Sequence, residues 1–127
     1  MKSALIIGGT GFLGFHLSKF LKKKKIKIYS LSRRSPKKMR FIRGIKYLFA
    51  DISNNSQLTK VLKTKRFDYV INFGGEVDHK KFLSVNKSHF RGVKNLTNIF
   101  LNKKIKKFIQ VGSSLEYGKL QSPQKEN

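Results

Sequence analysis

SALIIGGTGFLGFHLSKFL, residues Ser3 to Leu21, changes character twice within nineteen positions. Ala4-Leu5-Ile6-Ile7 is a short apolar run, the length of a fully buried parallel strand. Gly8, Gly9, Gly11 and Gly14 follow, and then Leu13, Leu17, Phe20 and Leu21 recur at helical spacing. Strand, glycine turn and helix in that order is the context that makes a glycine pattern a dinucleotide site. One glycine permits a tight turn, one lets backbone approach a pyrophosphate, and Gly14 lets the helix pack closely on the strand. The helix then presents free N–H groups and the positive end of its dipole to the phosphates. The alternative is a glycine-rich turn that holds no ligand.

The same alternation runs on along the chain. Strands are expected at 3–8, 26–31, 45–50, 67–73 and 107–112, and helices at 12–23, 54–64 and 81–102. Ser53 or Asn54 is placed to cap the second helix. The third should carry Phe90, Val93, Leu96 and Phe100 on one face. Pro36 disfavours regular structure in the basic loop after the second strand. These elements predict an α/β fold, a Rossmann-type doubly wound parallel sheet with helices on both faces and about five strands. Residues 1–118 read as one domain and 119–127, KLQSPQKEN, as a polar tail.

Composition narrows the chemistry. The 127 residues suit one domain with a real core. Without cysteine there is no disulfide framework, thiolate metal site or cysteine nucleophile, and three scattered histidines with six acids suggest no metal centre. No apolar run approaches the roughly 20 residues that span a bilayer. The N-terminus lacks the pattern of a secretory signal, so a cytoplasmic protein is expected.

The net charge of +23 raises the question of nucleic acid. Lysine dominates, and Ile, Phe, Asn and Lys are abundant together, as an AT-rich genome would produce. The runs Lys22–Lys25 and Lys103–Lys107 fall where helices should end, and cations there complement the helix dipole. No RNP-type aromatic motif, zinc-finger spacing or helix-turn-helix is evident. Salt-sensitive, non-specific binding of polyanions is expected, and specific nucleic-acid recognition is not.

Four motifs in register resemble the N-terminal part of the extended short-chain dehydrogenases/reductases, the nucleotide-sugar epimerase/dehydratase group. Gly8-Gly9-Thr10-Gly11-Phe12-Leu13-Gly14 resembles that family's phosphate loop. Asp51-Ile52 is similar to its adenine-contacting pair, and Asn72-Phe73-Gly74-Gly75 to the small residues lining its nicotinamide side. Val111-Gly112-Ser113-Ser114-Leu115-Glu116-Tyr117-Gly118 resembles its serine-containing strand end. All four lie where strands should end, the place where open parallel sheets bind ligands.

The resemblance implies a cofactor site formed by Gly8, Thr10, Gly11, Phe12, Leu13, Gly14, Ser32, Arg33, Arg34, Asp51, Ile52, Phe73, Gly74 and Gly75. Leu31-Ser32-Arg33-Arg34-Ser35 ends the second strand without the acid that would hold a ribose 2′-OH. Arginine can hold a 2′-phosphate with paired donors, so NADP(H) is favoured over NAD(H). The competing explanation is that these arginines belong to the general basic surface.

The family's hydride chemistry uses a serine, a tyrosine and a lysine. Ser113 matches the serine, with Ser114 beside it, and Glu116 matches the acid that assists water elimination in related dehydratases or is a plain loop acid. The tyrosine and lysine belong to a Tyr-x-x-x-Lys helix. Here Arg33, Asp51, Phe73 and Gln121 stand four places after Tyr29, Tyr47, Tyr69 and Tyr117, so the pair is absent. His89 stands where the family often has asparagine ahead of Gly92.

The resemblance therefore implies the cofactor-binding front of a longer enzyme, inactive alone, which takes a nucleotide-sugar only once its C-terminal part is supplied. A stand-alone, non-catalytic dinucleotide-binding module is the alternative, and a basic nucleic-acid-binding protein a third. Related enzymes often dimerise through helices, which makes the 81–102 helix a candidate homodimer surface.

Overall fold

The computed structural model describes residues 1–75, 83 and 87–112. Ser3–Ile7 form β1, the middle strand of a five-stranded sheet. β2 (Lys27–Ser32), β3 (Lys46–Phe49), β4 (Tyr69–Asn72) and β5 (Lys107–Gln110) complete it in the order β3-β2-β1-β4-β5. Every pairing is parallel. The expected strands are therefore present, most of them shorter at their ends. The chain leaves β1 for β2 on one side and later crosses to β4 on the other. Strand order thus reverses beside β1, and the C-terminal ends of β1 and β4 are where an open parallel sheet holds a ligand in its cleft.

β1 is buried throughout Ala4–Ile7 because both its faces are covered. Ala4 and Ile6 join Ile28 and Ile71 beneath Leu17 and Leu21 of helix α1 (Phe12–Lys23). Leu5 and Ile7 point the other way, with Leu31 and Val70, onto Leu58 and Leu62 of α2 (Asn55–Leu62) and Leu96 and Phe100 of α3 (Gly92–Leu101). The period-two alternation of a strand sorts these residues into two cores, with helices on both faces as expected.

The helices carry three corrections to the expected pattern. In α1, Leu13 and Phe20 are exposed, and the inward stripe is the buried Gly14 and Ser18 with the partly buried Leu17 and Leu21. Small residues face inward because the helix lies almost against the backbone after β1. The Ser18 hydroxyl is satisfied within the helix, donating to Gly14 O at 2.6 Å. The third helix does not run evenly either: Lys87–Arg91 form a π-helical turn that leads into α3. That wider turn breaks the expected face, so Phe90 is 68% exposed while Leu96 and Phe100 are buried. In the basic loop, where no regular structure was expected, Lys38–Arg40 make one 3₁₀ turn.

Helix ends are closed by local chemistry. Asn54 caps α2, its Oδ1 accepting from Gln57 N at 3.0 Å. Lys103 closes the other end of α2 from beyond α3, donating to the carbonyls of Leu62, Lys63 and Lys65. After α1, Lys25 takes a left-handed conformation, φ +58°. Lys25 N donates to Lys22 O and Ile26 N to Leu21 O, the paired bonds of a Schellman ending.

Candidate functional site

The glycine loop sits across the C-terminal ends of β1 and its two neighbours. Gly8 has φ +74°, open to glycine at no steric cost. This turn lets Gly8 N donate to Leu31 O of β2 at 2.8 Å, while Gly11 N closes the loop on Gly8 O at 2.9 Å. On its other side Gly8 abuts β4, since a Cβ there would lie 3.1 Å from the Phe73 carbonyl carbon. At Gly14 a Cβ would lie 2.6 Å from Gly9 Cα and would run into Gly8 O. The absence of that one carbon sets the distance between α1 and the loop.

The N-terminus of α1 has no side-chain cap and no acidic residue in its first turn. Its leading N–H groups have no intrahelical acceptors. The loop therefore presents unspent donors and a positive dipole end, complementary to a phosphate. Phe12 and Leu13 stand exposed on the first turn beside it. Below the loop, Ser30 Oγ is the buried side-chain polar atom without a partner among the described residues. It occupies the space that a side chain on Gly9 would need.

Around this loop the structure gathers most of the expected site. Ser32 ends β2 and Arg33 and Arg34 follow it, and Ser32 Oγ donates to Arg34 O at 2.8 Å, turning the chain there. Asp51 follows β3; its Oδ1 accepts from both the N–H and the hydroxyl of Ser53, each at 2.8 Å. Those bonds shape the turn into α2 and fix the carboxylate. Ile52 is buried against the β4 loop, its Cδ1 lying 3.3 Å from where a Gly74 Cβ would be. Gly75 lies under the imidazole of His89, where a side chain would collide with the ring. Ser113, Ser114 and Glu116 lie outside the described residues.

Four further residues organise the site and were not singled out from sequence for these roles. Asn72 is fully buried at the end of β4. Its Oδ1 accepts from Gly74 N and its Nδ2 donates to Gln110 Oε1 on β5, both at 2.8 Å. Asn95 reaches from α3 to donate to Ile52 O at 2.9 Å. Arg40, in the 3₁₀ turn, places Nη1 3.4 Å from Thr10 O in the glycine loop. No local pattern marks Arg40 among 29 lysines and arginines, and the Asn72–Gln110 pair depends on strand order.

Among the described residues, no helix is long and apolar enough to cross a membrane, and no cluster of His, Asp or Glu is placed to hold a metal ion.

The fold has close counterparts of known structure. The UDP-Glc/GlcNAc 4-epimerase from the human pathogen Campylobacter jejuni superposes with a TM-score of 0.87 at 22% identity, over 97% of this chain and 40% of that one. The Bordetella bronchiseptica enzyme WbmH, solved in complex with NAD+, gives 0.82 at 16% identity, over 93% and 41%. The epimerase Mth375 from Methanothermobacter thermautotrophicus gives 0.80 at 23% identity, over 98% and 39%. The chain thus spans about two-fifths of the length of these proteins, and at such identities the likeness establishes the fold. No functionally curated protein matches the chain. Residues 4–127 match the model of one family from the first strand onward, and by that match the chain belongs to the NAD dependent epimerase/dehydratase family.

Proposed function

We propose that this chain is the dinucleotide-binding portion of an NAD(P)-dependent enzyme that epimerises, dehydrates or reduces a nucleotide-linked sugar. The observation that carries the reading is the uncapped N-terminus of α1 behind a glycine loop packed on both β2 and β4. The residues present fit a dinucleotide. Thr10, Phe12, Leu13 and Gly14 offer backbone N–H groups to the pyrophosphate, while Gly8 and Gly11, whose own N–H groups close the loop, let it approach the backbone. Asp51 and Ile52 face the adenine, and Phe73, Gly74 and Gly75 leave room for the nicotinamide half. The bound nicotinamide supplies hydride exchange. The chain's own part is to bind it, orient it and exclude water from one face.

NADP(H) is the favoured form, because basic residues and no acid follow β2. Residues 1–118 constitute the binding domain and 119–127 a polar tail, in a cytoplasmic protein that forms homodimers. Ser113 is the substrate-side serine, with Ser114 and Glu116 in support. No tyrosine here is followed four positions on by lysine, so the 127 residues bind cofactor without turnover, and nucleotide-sugar chemistry requires a C-terminal partner segment.

The test is thermal unfolding of the purified chain with and without NADPH or NADH, alongside a hydride-transfer assay. Ligand at about 100 times its dissociation constant should add roughly 2.7 kcal/mol to the folded state. Stabilisation without turnover is the expected result. No shift with either dinucleotide would sink the binding reading, and turnover by the 127 residues alone would sink the assignment of the missing proton-transfer pair.

A further inference from the structure

We infer, taking the dinucleotide reading above as given, that Arg40 is the side chain that recognises the 2′-phosphate of the adenosine ribose. Rossmann sites read the 2′ position at the end of the second strand. In this chain Arg33 and Arg34 occupy that place in sequence, but both are exposed, and neither side chain is held by a hydrogen bond or ion pair among the described residues. Arg40 arrives at the same corner by another route. The Gly8–Thr10 arm of the glycine loop is tied to the end of β2 through Gly8 N and Leu31 O. Arg40 Nη1 donates to Thr10 O in that arm, 30 residues away in sequence. The guanidinium is thus delivered to the corner between the glycine loop and β2.

The loop that carries Arg40 is braced on several sides. Arg40 N donates to Lys37 O at 2.8 Å. The next residue, Phe41, stacks on Tyr47 of β3 with centroids 5.6 Å apart. Ile42 N donates to the Tyr47 hydroxyl at 2.9 Å, and Lys22 Nζ from α1 donates to Arg43 O. Arg40 is itself only partly exposed. A guanidinium has five N–H donors, and Thr10 O engages one of its nitrogens. Among the described residues it has no carboxylate partner; the ion pair there joins Lys106 to Asp68. A braced, half-buried cation with spare donors, no acid beside it and a glycine loop underneath is suited to a phosphomonoester. The competing account is that Arg40 only pins the loop to Thr10, which would affect every dinucleotide alike.

The experiment is titration of the full chain with NADP+ and with NAD+ at one fixed ionic strength. Arg40→Gln should weaken NADP+ binding by roughly tenfold or more while moving NAD+ by about twofold at most. Lys38→Gln removes the same charge from an exposed neighbour and should leave the NADP+/NAD+ ratio unchanged. Tyr47→Phe keeps every charge but loses the brace at Ile42, and should lower the ratio partway. Arg40→Lys should recover only part of it, because a point charge replaces a fork. An unshifted melting temperature for Arg40→Gln without ligand separates recognition from folding. Equal loss for both dinucleotides, or a ratio that Lys38→Gln moves as far as Arg40→Gln, would overturn the assignment. So would a ratio that Arg40→Gln does not move, and in that case dinucleotide binding itself stands. Failure of the unaltered chain to bind either dinucleotide would remove the reading beneath it as well.

Discussion

Asn72 and Gln110 face each other across β4 and β5, and the Asn72 amide donates to the Gln110 side-chain oxygen at 2.8 Å. The same asparagine accepts from Gly74 N, so one buried side chain ties the outermost strand to the turn that lines the cleft. Asn72→Ala leaves the Gly74 N–H and the Gln110 carbonyl oxygen without these partners. The expected cost is about 1–3 kcal/mol. Amide exchange should accelerate first in β5 and at Gly74. A uniform change across all five strands would argue against a local tie.

Gly14→Ala tests how closely α1 must approach the loop. The added carbon would lie 2.6 Å from Gly9 Cα, backbone that has no rotamer to yield. Forcing the helix outward should cost about 1–3 kcal/mol and weaken dinucleotide binding further still, because the N–H groups move with the helix. Gly11→Ala makes a single contact, at 3.1 Å from Gly8 O, and should cost less. Melting temperatures and a dinucleotide titration of both variants check the order.

Lys25 points to a gain. Its left-handed backbone carries the Cβ penalty that glycine avoids, and its side chain is exposed. Lys25→Gly should stabilise the fold by about 1 kcal/mol and raise the melting temperature by a few degrees. A lower melting temperature would show that the conformation is not strained.

Asp68 sets a pH dependence. The main-chain N–H of Ser3, and then the Lys106 ammonium, hold its carboxyl below the ordinary 3.8. A depressed carboxyl pKa stabilises the fold fully above the unfolded value and loses that contribution as pH falls through the lower, folded value. Asp68→Asn should therefore melt below the unaltered protein at neutral pH, and the gap should close on acidification past 3.8. A gap that persists deep into acid would assign the effect to something other than the charge.

The parts of the fold legible in sequence are those written in local pattern. β1 is an unbroken apolar run because both faces are buried, and the glycine loop is legible because its backbone admits few alternatives. Asp51 and Gly74 appear at strand ends because strands alternate with helices throughout. What escaped depended on distance or on size. Leu13 and Phe20 looked like core by hydrophobicity, yet Gly14 and Ser18 face the sheet, because close approach rewards small residues there. Phe90 fell off its face because a π-helical turn has no signature in a 3.6-residue period. Arg40 and Gln110 acquire their roles only when residues 30 and 38 positions apart are brought together.

Ile52 fills the space that a side chain on Gly92 would require and borders Gly74, where Ile7 and Asn72 stand closer still, and Asn95 grips its carbonyl from the α3 side. These positions consequently cannot drift independently. Alanine at Gly92 would meet Ile52 Cγ1 and Cδ1 at 2.6 Å, so it becomes tolerable only in a background where residue 52 has already shrunk. The order of substitutions around this cleft is thereby constrained: a smaller residue at 52 must come before a larger one at 92, whereas at 74 Ile7 and Asn72 would have to yield as well.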